Sequence, residues 1–104
     1  MYEFNEPQQN VRLKAFLWVA YSEALASLRR SEYYYANIIA EGLELPFWKS
    51  NQDDVLRTEI QIAESTRDLE MISGILSAVR LNVSTLQIPA TDFAKMDGIV
   101  KKAK

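Results

Sequence analysis

Glu44-Leu45-Pro46-Phe47-Trp48-Lys49-Ser50-Asn51 decides the fold of this chain, because it splits an otherwise nearly continuous helix-forming sequence into two long halves. Pro46 cannot continue a helix and biases Leu45 toward extended geometry. Before the break, Gly42 is placed to end the first helix in a left-handed conformation. After it, Ser50 or Asn51 can cap the second helix by accepting its free backbone N–H groups, and Asp53 and Asp54 fall at the positive end of the helix dipole.

Outward from the break, apolar and small residues recur at alternating spacings of three and four. In the second half the line runs Val55, Thr58, Ile62, Ser65, Leu69, Ile72, Leu76, Val79, Val83, Leu86, a seam roughly four heptads long. The first half carries a looser line through Leu13, Leu17, Ala20, Ala24, Leu28, Ser31, Tyr35 and Ile38, with further apolar surface off it. Two seams and a short hinge predict an all-α protein, an antiparallel helical hairpin with helices over 8–43 and 52–82 joined by a hinge at 44–51.

Residues 1–7 read as extended, with Tyr2 and Phe4 free to pack on a neighbour, and the second helix is expected to fray or bend after Asn82, where Pro89 follows a run of branched residues. A short helix over 91–100 comes next, capped by Thr91 or Asp92, with Phe93, Met96, Ile99 and Val100 on its apolar face and a solvated, mobile lysine tail.

With the turn centred near residue 47 or 48, residue i of the first helix lies opposite roughly 95 minus i of the second. This sets Phe16, Trp18 and Ala20 near Val79, Ser77 and Ile75, where Ser73, Gly74, Ser77 and Ala78 would allow close approach or leave room for rings. It also sets Arg29 and Arg30 near Glu64 and Asp68 for ion pairs across the hairpin. Asp53 with Arg57, and Arg67 with Glu64 and Glu70, are spaced for pairs along the solvated face of the second helix.

At 104 residues the chain makes one domain, and 48% hydrophobic composition excludes disorder. A lone hairpin cannot bury that much apolar surface, so a third element or another chain must help. There is no cysteine, hence no disulfide, which fits a cytoplasmic protein. A net charge of −2 gives no general attraction to nucleic acid or to an anionic membrane. The longest nonpolar run, Ala15–Tyr21, has seven residues where a membrane span needs about 20, and the acidic N-terminus lacks a signal-peptide pattern.

Catalysis has little to work with. Histidine is also absent, and there is no Gly-rich phosphate loop, nucleophile elbow or His-based metal cluster, so no enzyme, cofactor or metal is expected. Glu41, Glu44, Asp53 and Asp54 gather around the hinge, where such a set could hold a hard cation, but helix-end charges and a solvated loop account for them. A helical mutase would need buried Arg and Lys, whereas the charges here fall on polar faces.

The aromatics carry more. Tyr33, Tyr34 and Tyr35 fan across about 200 degrees of a helix, so they cannot all face one partner helix. Tyr33, Tyr34, Phe47 and Trp48 are the candidate protein-binding residues, forming an aromatic cap at the closed end. In the competing arrangement Tyr35 is core and Phe47 and Trp48 fold over the hairpin tip. At the open end, Ala15–Tyr21 is nonpolar almost all round, and between Glu70 and Asp92 the only charge is Arg80. A helix apolar on every side is normally buried on every side, so a two-fold dimer completing a four-helix bundle is expected.

In length, hairpin layout and a Trp at the turn, the chain resembles the Trp-x-Gly family of small type VII secretion substrates, which pair into four-helix bundles and carry a Tyr-x-x-x-acid tail signal. Here Trp48-Lys49-Ser50 has Ser in place of Gly, and Phe93-Ala-Lys-Met-Asp97 has Phe in place of Tyr. The residues themselves favour a noncatalytic, self-associating interaction protein: a small inhibitor, assembly factor or structural adaptor, of the kind phages encode. A nucleic-acid binder using Arg12, Lys14, Arg29, Arg30 and the lysine tail is the further alternative.

Overall fold

The computed structural model describes residues 1–103 and is 77% helical. A strand β1 (Tyr2–Asn5) and a 3-10 turn (Pro7–Gln9) lead into α1 (Val11–Glu44); α2 (Gln52–Arg80), strand β2 (Thr85–Ile88) and α3 (Ala90–Lys102) follow. The two long helices pack antiparallel as a hairpin, and α3 lies along both of them.

Every residue of the two expected seams is buried or half-buried. The register is close to expectation as well: the Ser27 and Ser65 hydroxyls lie 3.3 Å apart, and the Tyr35 hydroxyl donates to Glu59 Oε1 at 2.9 Å. Ile72 and Leu17 are fully buried, as seam positions facing a partner helix should be.

The hinge departs from expectation in its capping chemistry. Gly42 lies inside α1, and no glycine among the described residues has a positive φ; the helix ends instead at Leu45, in extended geometry ahead of Pro46. Asn51 does precede α2, but its side chain makes no cap bond. Its amide reaches back across the hinge and donates to the Ile38 carbonyl at 2.6 Å, while the Ser50 hydroxyl accepts from Gln52 N–H at 3.2 Å. Gly42 is small for a spatial reason, because a Cβ there would stand 2.9 Å from Asn51 Oδ1.

The end of α2 is sharper than a frayed helix. Asn82 takes a left-handed conformation (φ 57°), its N–H bonding Val79 and that of Val83 reaching Ala78, the double closure of a Schellman motif. The chain then runs directly into β2, which pairs antiparallel with β1, Phe4 opposite Leu86 and Tyr2 opposite Ile88. The inward residues Leu86 and Ile88 of this ribbon and Met96 and Val100 of α3 are buried in the same core as Leu13, Leu17, Ala20, Ile72 and Val79. Phe93 stacks between Tyr2 at 4.2 Å and Phe16 at 5.2 Å. Residues 83–102 therefore close the open end within one chain.

Three local expectations are corrected. Gly74 is exposed with nothing near its missing side chain, so it is not a point of close helix approach. Neither Thr91 nor Asp92 caps α3, which begins one residue earlier, directly after Pro89, and continues as helix to Lys102. Arg30 pairs with Glu23 on its own helix at 3.0 Å, and no ion pair crosses from Arg29 or Arg30 to α2 among the described residues. The pair on α2 is Asp54 with Arg57, not Asp53.

The molecule measures 59 × 25 × 19 Å. Among the described residues its buried apolar residues come from 13–24 and 72–100, with Pro7 and Ile38 outside those ranges. The fold thus divides into a base of three helices and a ribbon, and an arm of two helices ending in the hinge.

Candidate interaction surface

The arm is held by a thin seam. Its inward positions include Ser27, Ser31, Thr58 and Ser65, where the base has Leu, Ile and Val. Three of these hydroxyls are satisfied locally, Thr58 Oγ1 donating to the Asp54 carbonyl at 2.7 Å and those of Ser27 and Ser65 meeting each other. Satisfied hydroxyls cost little, but they contribute far less than buried CH₂ groups.

At the end of this arm, Phe47 is 96% and Trp48 70% exposed, and Leu43 beside them 85%. The two rings pack on each other, edge to face at 5.2 Å. They do not fold over the hairpin as a core plug. Around them, residues 41–54 carry Glu41, Glu44, Asp53 and Asp54 against the single cation Lys49. Among the described residues no three carboxylates come close enough to hold a metal ion.

The three tyrosines separate as helix geometry requires. Tyr35 is half-buried in the seam, and donating its hydroxyl to the Glu59 carboxylate raises its pKa, since that bond favours the neutral phenol. Tyr33 stands out into solvent. Tyr34 is half exposed and lines an open groove of about 510 Å³ between α1 and α2 with Ser27, Ser31, Arg30, Arg57 and Gln61. Counting along α1 at ~1.5 Å per residue, Tyr34 lies about 15 Å below the hinge. Phe47 and Trp48 therefore meet, while Tyr33 and Tyr34 belong to the flanks of the arm.

The same Tyr34 groove continues down toward α3, where Asp68 faces Lys95 and Lys102. Partial burial raises the Asp68 pKa, and Lys95 only partly counters it. On the base, a second depression of about 400 Å³ is lined by Phe4, Asn10, Arg12, Leu13, Phe16 and Phe93. Reading in sequence order missed it because its residues come from three separated segments; its one visible signal was the unassigned apolar pair Tyr2 and Phe4.

Among the described residues, no helix is long and apolar enough to cross a membrane. Comparison with family models, curated proteins and solved structures returns no match. The likeness to the Trp-x-Gly proteins rests on layout: Trp48 does stand at the hairpin tip, whereas Phe93 of the tail motif is packed in an aromatic stack.

Proposed function

We propose that this protein is a noncatalytic, cytoplasmic interaction module that binds another protein through the tip of its arm and also associates with itself, serving as a small inhibitor, assembly factor or adaptor. The observation that carries the proposal is the Phe47–Trp48 pair, two large rings exposed at the far end of an elongated molecule and unused by its core. Rings of this kind provide most of the binding energy where they enter a partner's pocket. The surrounding carboxylates favour a partner whose apolar pocket has a basic rim, with association that slows as salt is raised.

The test is site-specific photocrosslinking from position 48 in the native cell, followed by mass spectrometry. A single dominant adduct is expected, lost when Phe47→Ala is added although the melting temperature is unchanged. Equal adduct formation from a control position on β1 would show that the tip is not the binding element.

A further inference from the structure

The face of α1 turned away from α2 has a pattern of its own. Val11, Trp18, Leu25, Tyr33 and Leu43 fall on one line of the helix at multiples of its turn, opposite the buried seam. Between them on the same line stand the small residues Ala15, Ser22, Ala36 and Ala40, and the charges on it or at its edge are Lys14, Arg29 and Glu32. All are exposed except half-buried Leu25, and Trp18, covered on one side by the Arg80 guanidinium at 5.7 Å, remains 46% exposed. A solvated helix face would carry charges every turn; this one runs nearly the whole of a helix ~51 Å long with three.

We propose that this face binds a second copy of the chain, α1 against α1 and antiparallel, with the two-fold axis near residue 27. This rests on self-association as proposed above and assigns it a surface. In that register residue i faces ~54 minus i of its partner. Trp18 then meets the partner's Ala36 and Tyr33 lies beside the partner's Ser22, so the two rings fall on small residues, while Val11 and the partner's Leu43 cover each other. At the ends the charges agree, Arg12 and Lys14 coming level with the partner's Glu41 and the partner's Glu44; at the centre Arg29 faces the partner's Leu25, ~6 Å along the axis from the partner's Arg29. A parallel pair would set like charges together at both ends. The result is a four-helix layer with the two tips pointing in opposite directions, each level with the partner's Pro7.

The chain has no cysteine, so single cysteines can be spin-labelled without background. In the dimer, labels at Arg29→Cys should lie within about 20 Å of each other, whereas labels at Val11→Cys and at Leu43→Cys should each be separated by about 48 Å, from the ~1.5 Å rise per residue. Ala36→Glu, at an exposed position that leaves the monomer fold intact, should weaken dimerisation by about ten-fold or more in sedimentation equilibrium. A short distance at Leu43→Cys, or a dimer unaffected by Ala36→Glu, would overturn the α1 face while leaving self-association standing. A wild-type monomer up to about 100 μM, far above the micromolar range of specific dimers, would overturn both.

Discussion

Three glycines lie in helices here, and their surroundings sort them. Gly74 and Gly98 have open space where a side chain would go, so each only loosens its helix. Gly74→Ala and Gly98→Ala should each stabilise by about 0.5–1 kcal/mol, read as a rise of about 2–6 °C in melting temperature. Gly42→Ala gains the same propensity but drives Asn51 off the Ile38 carbonyl, so its melt should show no rise. Asp68 provides a pH test. Its raised pKa means that the folded state favours the protonated form, so its ionisation destabilises the fold as pH rises through that pKa. Asp68→Asn should therefore raise the melting temperature by about 1–3 °C at pH 7, discounted for its partial exposure, with the advantage gone below about pH 3. Neither effect was legible in the sequence: Gly42 read as a left-handed terminator because glycine before a proline turn usually is one, and only the fold shows Asn51 beside it.

At the scale of elements, periodicity carried the hairpin because a helix seam is a local property, visible in any window of two turns. Val55 through Val79 lie on one line of α2 and all of it is covered, whereas Val83 and Leu86, expected on the same helix, are covered beyond its end, Leu86 in β2. The ribbon was not legible for the opposite reason. Tyr2 pairs with Ile88 across most of the chain, and a four-residue strand has too few alternations to register alone. Its consequence is large, since the ribbon and α3 supply the covering that a second chain would otherwise have to provide. Leu76→Asp places a charge among Leu17, Ile72 and Met96 and should abolish cooperative unfolding, through a desolvation penalty of several kcal/mol. Ile60→Asp, on the exposed side of the arm, should leave the circular dichroism spectrum and the urea midpoint close to wild type.

For the whole molecule, the division into base and arm ties the fold to the proposed function. Leu17, Ile72, Ile88 and Met96 are each fully enclosed in the base, whereas the arm buries Ile38 and otherwise meets through hydroxyls, a glycine and half-covered side chains. The candidate residues Phe47 and Trp48 stand at the end of that weaker element, and Tyr33 and Tyr34 on its flanks. The sequence left open whether Phe47 and Trp48 form an exposed cap with Tyr33 and Tyr34 or fold over the tip, because the distance between tip and flanks depends on where the seams are covered. Elements that bind partners are commonly drawn from the least stable part of a fold. Amide hydrogen exchange followed by mass spectrometry tests this division most directly. Segments 13–24 and 69–79 should exchange only through global unfolding, while 36–60 exchanges at least about a hundred-fold faster in the free protein, a difference of ~2.7 kcal/mol in opening free energy. Uniform protection from base to tip would contradict it.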